Sequence, residues 1–265
     1  MVRIINVCSG KGGVGKTVVA SNLGVALRKF YKKVAVVDFN FTTSHLGLYF
    51  GIFSYPRTLN HFLRDEISLE ETMYIHSSGL RVIPASLDLS DLVDINVNNL
   101  KQRLKEVFHD YDIVLLDSAP GLGKEALTAL QSSDEVLFVA NPNIPSLVDV
   151  VKCCQIINSL ESKPVPLGIV VNRVKNKKYE ITNDEVTQFT ELPIVGVVPE
   201  DENILESANR KTLVTFDRQN SSSAKAFFKI AARLLGTEYR APGIIDRIKG
   251  IFGRSEKKFF SRDVL

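Results

Sequence analysis

Apolar positions along this chain fall in short unbroken runs. They read "RIINVCS", "KVAVVD", "LRVIPA", "YDIVLLD", "EVLFVA", "VPLGIVVN" and "LPIVGVVP". A strand with one wet face alternates apolar and polar residues, whereas a strand buried on both faces of a parallel sheet does not. Helically spaced stretches separate most of these runs, among them residues 16–30, 97–108, 145–160 and 224–235. Strand–helix–strand repetition demands right-handed crossovers, so the expected fold is α/β: a doubly wound, mainly parallel sheet with helices on both faces. Ligands of such sheets sit at the carboxyl ends of the strands. The expected organisation is one domain over residues 1–236, a linker at 237–243 ("TEYRAPG") and a distinct tail at 244–265.

Composition adds little to this picture. With 45% hydrophobic and 24% charged residues in a chain of 265, one large core is within reach and disorder is excluded. A net charge of +3 is too small to argue for nucleic acid. No apolar run approaches the roughly 20 residues of a membrane span. The N-terminus enters a strand-like run directly, without a secretory signal pattern. Cys8, Cys153 and Cys154 lack C-x-x-C spacing, and His45, His61, His76 and His109 lack metal-ligand spacing. The thiols are therefore read as reduced, in a cytoplasmic protein.

The first run ends in "SGKGGVGKT", Ser9 to Thr17. Gly10, Gly12 and Gly15 fit the dinucleotide fingerprint G-x-G-x-x-G; Gly10, Gly15, Lys16 and Thr17 fit the triphosphate loop G-x-x-x-x-G-K-S/T. Both place phosphate against a helix N-terminus. Asp38 even stands about where a ribose-binding acid belongs. Two features decide for a nucleoside triphosphate with Mg²⁺. Lys16 and Thr17 follow Gly15 directly, as β/γ-phosphate and Mg²⁺ contacts require, and "YDIVLLD" ends in Asp117, the Walker B pattern of a carboxylate on the metal. Neither fingerprint asks for the second lysine, Lys11.

"KGGVGKT" with Lys11 resembles the deviant Walker A box of the MinD/ParA group of ATPases, and MinD-like members most closely. The resemblance covers nearly the whole chain. It implies an ATP-sandwich homodimer in which Lys11 reaches the partner's phosphates, with Lys16 acting on its own. It implies phosphate contacts for Gly10, Gly12, Gly13, Val14, Gly15 and Val18, and Mg²⁺ held by Thr17, Asp38 and Asp117. "VVDFNFTTSHLGLYFG" is similar to switch I, "LLDSAPGLG" to switch II with Gly121 near the γ-phosphate. "VVNRV" implies that Asn172, with Arg173 beside it, reads the adenine edge; "VVPED" implies Pro199 against the base and Asp201 close by. "ANPNIPSLVDVVK" is similar to an interface segment, and puts Val148 and Asp149 on a partner face or on a solvated one.

Two positions depart from the pattern. Val18 stands where a second Ser or Thr is common, which weakens contact with the α-phosphate. Asn40 stands where switch I usually has its second aspartate, credited with orienting the attacking water. Asparagine hydrogen-bonds a water but carries no charge and takes no proton. Slow turnover and a long-lived ATP state are expected.

In "GIIDRIKGIFGRSEKKFF", Ile244, Ile245, Ile248, Ile251 and Phe252 fall within an arc of roughly 120° at helical pitch. Arg247, Lys249 and Arg254 flank or oppose it. This reads as a basic amphipathic helix on an anionic membrane surface, at the inner face of the cell membrane. A helix docked on the protein's own core or on a partner is the other reading. Gly250 lowers helicity by about 1 kcal/mol relative to Ala, favouring a helix that forms on binding. The expected function is an ATP switch for spatial positioning, such as placement of a division site or a surface structure. A ParA-like DNA partition ATPase would want a basic face, and the basic cluster here is terminal and amphipathic instead, so nucleic acid is not the expected partner. An iron–sulfur carrier would want paired interface cysteines, and adjacent Cys153 and Cys154 in a helix face different sides.

Overall fold

The computed structural model describes residues 1–53 and 55–239. Most of the expected linker and all of the tail, with Ile244, Ile245, Ile248, Ile251 and Phe252, lie outside the described residues.

In chain order the elements are β1 (Arg3–Cys8), α1 (Lys16–Arg28), β2 (Val34–Phe39), α2 (Leu46–Tyr49), α3 (Leu59–Leu63), β3 (Tyr74–Ile75), β4 (Arg81–Ile83), α4 (Leu100–Val107), β5 (Ile113–Ser118), α5 (Lys124–Gln131), β6 (Glu135–Ala140), α6 (Ile144–Ser159), β7 (Val165–Val174), α7 (Asn183–Thr190), β8 (Ile194–Pro199), α8 (Glu202–Asn209), α9 (Val214–Asp217) and α10 (Ser222–Leu234). The strands form one sheet in the order β3-β4-β2-β5-β1-β6-β7-β8. All pairings are parallel except β3 on β4. Each apolar run of the sequence is a strand. Strand β3 was not expected: two residues are too few to show a period, and its pairing on β4 is a tertiary contact.

Period-two alternation survives inside the runs, but both faces are apolar. In β1, Ile5 and Val7 join the layer holding Leu23 and Leu27 of α1 and Phe227 and Phe228 of α10. Ile4 faces the opposite layer with Leu100 and Leu104 of α4. Cys8 packs there with Leu147, Val150 and Cys153 of α6. This is why alternation is invisible in the sequence. Helix α1 lies so close to the sheet that a Cβ on Gly24 would stand 2.6 Å from Val36 Cγ2. Helix α6 starts one residue before its expected bound, because Asn143 caps it by accepting from the Ser146 N–H at 3.1 Å.

The topology fixes where chemistry can occur. Strand β1 sits between β5 and β6, and the chain winds outward from it in both directions. The loop after β1 therefore opens at the topological switch point, the crevice where open α/β sheets bind ligands. Register does the rest: Val7 pairs with Asp117, and Asp38 pairs with the same Asp117 from the other side.

Candidate functional site

The loop 9–15 turns through two left-handed glycines, Gly13 (φ 80°) and Gly15 (φ 98°). Gly15 is doubly constrained, since a Cβ there would also lie 2.4 Å from Asn172 Nδ2. Helix α1 begins at Lys16 with no side-chain cap, so its first-turn N–H groups and positive dipole end face the loop. That is an anion site by construction. At Gly10 a Cβ would stand 2.6 Å from Asp149 Cβ, so α6 backs the loop directly. Asp149 is thus packed against the loop at its backbone, and its side chain is one-quarter exposed.

Lys16 is buried at 7% exposure. Its Nζ donates to Ser9 Oγ at 2.8 Å and lies 3.5 Å from the Lys11 carbonyl oxygen. Burial lowers its pKa, and the Asp117 carboxylate opposes that fall. Lys11, by contrast, is exposed and is not among the residues that line the cavity.

Beneath the loop, Asp38 and Asp117 are both buried, at 0% and 1% exposure. Asp38 is engaged in its own segment. Its Oδ1 accepts from the Asn40 N–H at 3.0 Å, and its Oδ2 from Ser44 Oγ at 2.7 Å and the Leu46 N–H at 3.2 Å. Asp117 lies beside the Thr17 hydroxyl, and its Oδ1 is buried with no hydrogen-bond partner. Desolvation raises both acids, Asp38 to about 6 and Asp117 to about 8, the latter pushed further by Asp38 itself. An orphaned carboxylate oxygen beside a threonine hydroxyl and a second carboxylate suits a hard divalent cation such as Mg²⁺. Among the described residues no three His, Cys, Asp or Glu side chains gather to hold a metal unaided. Mg²⁺ keeps waters and takes phosphate oxygens, so two carboxylates and a hydroxyl are a fitting protein share.

A cavity of about 520 Å³ opens over this floor. Of the residues expected from sequence, Gly12, Gly13, Gly15, Lys16, Thr17, Val18, Asn40 and Arg173 line it. Others lie elsewhere. Val14 is buried in the core. Gly121 (φ 79°) follows β5 at the turn into α5, with open space where a Cβ would be. Asn172, expected at the adenine edge, is 3% exposed and donates from Nδ2 to the Val14 carbonyl at 2.7 Å, which holds the loop from below. Asp201, expected beside the base with Pro199, is taken up structurally. It caps α8 through the Asn203 N–H and accepts from the Ser222 hydroxyl and the Ser223 N–H and hydroxyl. These bonds hold its carboxyl well below the usual range against the opposing effect of burial. Neither Pro199 nor Asp201 lines the cavity.

Sequence reasoning missed part of the wall. His45, Leu48 and Tyr49 face the loop from switch I, and Pro120 and Ala208 complete it. Helix α2 has four residues, too few for a periodic signal. The cysteines do not form a cluster site. Cys8 and Cys153 are buried neighbours, and the adjacent Cys8 together with burial raises the Cys153 thiol; burial pushes half-buried Cys154 up to about 11. Among the described residues no helix is long and apolar enough to cross a membrane.

Comparison with known proteins places this geometry. The family model described as an AAA domain matches residues 2–166. An uncharacterized ATP-binding protein of Methanocaldococcus jannaschii is 36% identical, over 96% of this chain and 98% of its own. The crystal structure of the Pyrococcus furiosus cell division ATPase MinD superposes with a TM-score of 0.84 at 32% identity, covering 89% of this chain and 99% of that one. The septum site-determining protein MinD of Pyrococcus horikoshii, complexed with Mg-ADP, gives 0.83 at 30% identity, covering 88% and 96%.

The carboxylate pair yields a pH prediction. Between about pH 4 and pH 8 the folded, metal-free protein keeps protons on Asp38 and Asp117 that the unfolded chain releases, given folded values of about 6 and 8 against 3.8. Stability contributed by these groups is therefore lost as pH rises through that window. Asp117→Asn removes the larger part. In urea unfolding without divalent cation, the variant gains stability at pH 8 by about 1–3 kcal/mol and little at pH 5. Parallel pH profiles for the two proteins would contradict the assignment.

Proposed function

We propose that this chain, which belongs to the MinD/ParA family of deviant Walker A ATPases, works as a MinD-like switch that dimerises with ATP, resides on a membrane while dimeric, and leaves on hydrolysis. One observation carries the reading: Lys16 is buried behind the loop, while Lys11 is exposed on the same loop and does not line the cavity. A lysine meant for its own phosphates gains from burial beside them. A lysine held out in solvent at a phosphate site is placed to serve a second copy.

The residues divide the work. The N–H groups of Gly12, Gly13 and Gly15 and of the start of α1 cradle phosphate, with Gly10 and Val14 shaping the loop. Lys16 neutralises β/γ charge from below, and Lys11 of the second copy does so from above. Thr17, Asp117 and Asp38 would hold Mg²⁺, which supplies charge neutralisation on the β- and γ-phosphates. Val18 offers no hydroxyl to the α-phosphate. Arg173, Tyr49 and Ala208 line the cavity, and the base goes beside them, with Asn172 supporting the loop. Gly121 lets switch II approach the γ-phosphate. Water attacks the γ-phosphorus as the β–γ bridging bond breaks, and Asn40 orients that water by hydrogen bonding alone. Positioning and electrostatics do most of phosphoryl transfer, so hydrolysis persists but is slow.

The tail at 244–265, reached through the linker 237–243 from the domain at 1–236, is the membrane element, through Ile244, Ile245, Ile248, Ile251 and Phe252. Each basic residue near an anionic surface contributes on the order of 1 kcal/mol. Ordering the tail offsets much of the apolar gain. One tail therefore binds weakly, and two on one dimer bind about 10²–10⁴-fold more tightly. Nucleotide state then sets membrane residence. Spatial positioning, of a division site or a surface structure, is the use such a switch serves, from the cytoplasmic face.

Two measurements test this. In co-sedimentation with anionic liposomes, the full chain pellets with ATP, much less with ADP, and a chain ending at Tyr239 stays in the supernatant with either. Equal pelleting of all three rejects the membrane reading. In steady-state phosphate release, Asn40→Asp raises turnover by roughly 10-fold, as expected when a charged group aids the attacking water; an unchanged rate removes Asn40 from the account.

A further inference from the structure

Switch I leaves β2 after Phe39 and switch II leaves β5 after Ser118. A cavity of about 310 Å³ separates them, and it shares Asn40, Thr43 and Pro120 with the nucleotide cavity. Among the described residues, one carboxylate makes the hydrogen bonds that cross from residues 118–126 to residues 40–46. Glu125 Oε2 accepts from the Phe41 N–H at 3.0 Å, and its Oε1 accepts from the Thr42 hydroxyl. Glu125 lies in the first turn of α5, where a carboxylate ordinarily serves its own helix's free N–H groups. Here it reaches across to a different segment.

The point it grips matters. Phe41 is 4% exposed and its ring packs on Phe39 with centroids 5.5 Å apart. With that side chain anchored, the freedom left to the peptide joining residues 40 and 41 is rotation about the anchor. Glu125 holds the N–H of that peptide and so sets the direction in which Asn40 leaves it. The Asn40 amide is closed on its own loop: Oδ1 accepts from the Thr43 N–H and hydroxyl, and Nδ2 donates to the Thr43 carbonyl at 2.7 Å. Re-aiming Asn40 therefore means rotating this peptide. On the other side, Gly121 (φ 79°) and Gly123 stand between Asp117 and Glu125, with open space where a Cβ would be.

We propose that Glu125 is a positioning residue that couples the two switches: movement of switch II at the γ-phosphate is carried through Glu125 to the Phe41 peptide, and so to Asn40. The proposal rests on the ATPase reading above. A carboxylate offers two acceptors. Glutamine keeps one acceptor for the Phe41 N–H and offers an N–H to the Thr42 hydroxyl, so it preserves both contacts; alanine removes both.

The test compares Glu125→Ala and Glu125→Gln in the full chain. Glu125→Ala lowers kcat for Mg-ATP by about 10-fold with KM within about 2-fold, because orientation and not binding is lost. Glu125→Gln stays within about 3-fold of wild type on both. Amide hydrogen exchange supplies a readout independent of turnover. Without nucleotide, the Phe41 amide exchanges faster in Glu125→Ala and at the wild-type rate in Glu125→Gln. On adding Mg²⁺ with a non-hydrolysable ATP analogue that keeps a γ-phosphate, protection changes in residues 119–125 and 40–46 together in wild type, but in 119–125 alone in Glu125→Ala. Wild-type kcat and exchange in Glu125→Ala overturn the proposal, and so does Glu125→Gln as impaired as Glu125→Ala. A wild-type protein that binds Mg-ADP but turns over no ATP sinks the hydrolytic reading, and the paired exchange response then decides the coupling by itself.

Discussion

Three ionisable side chains, Lys16, Asp38 and Asp117, are buried beneath one loop, and the site is organised around their desolvation. A buried charge is tolerated only when paired or hydrogen-bonded. Lys16 leans on Ser9 and on the field of Asp117; Asp38 is satisfied by Asn40, Ser44 and Leu46; Asp117 keeps one oxygen without a partner. The imbalance is built by register, because parallel pairing sets Asp38 and Asp117 side by side at the ends of β2 and β5. Two acids so placed resist ionising together until a cation arrives. In the proposed reading, a Mg²⁺–triphosphate would bring the cation for the acids and the anion for Lys16 and the α1 N-terminus. Binding would thus relieve a strain that the fold imposes.

The same arrangement makes switch I part of the site's electrostatics. Asp38 is a buried acid and also the residue that ties down Ser44 and Leu46, the entrance to α2. Helix α2 in turn supplies Leu48 and Tyr49 to the cavity wall. In the proposed reading, a cation held at Asp38 would be felt at that wall. Switch I is held from below by Asp38 of strand β2 and from the side by Glu125 of helix α5.

Much of this was legible in the residues, for reasons that differ by element. The strands could be read because each has two apolar faces; β3 could not, being two residues fixed by its neighbour. Gly15, Lys16 and Thr17 could be read because phosphate against a helix start needs them contiguous, and Asp117 because a buried strand ending in an acid is rare without purpose. Asn172 and Asp201 were harder. Both stand at strand or helix ends where a base contact is chemically reasonable, but Asn172 is held by Val14, and Asp201, besides capping α8 at nearby Asn203, is held by residues 222 and 223, far along the chain. A side chain that can serve either ligand or fold is assigned by what tertiary packing brings within 3 Å, and no local pattern carries that. The wall residues His45, Leu48 and Tyr49 were invisible for a related reason: a single helical turn has no period.

Lys11 is where sequence and structure meet most usefully, because it is exposed on the phosphate loop and the proposed reading has it serve a second copy. The most direct test is complementation in trans. Lys11→Ala lacks the donated charge and keeps Asn40; Asn40→Ala lacks the water-orienting group and keeps Lys11. Each alone turns over ATP poorly. Mixed in equal amounts with Mg-ATP, they form heterodimers in which one of the two sites has both groups, so turnover recovers to a substantial fraction of wild type. A mixture no more active than the sum of its parts would show that Lys11 serves its own chain, and would contradict the account.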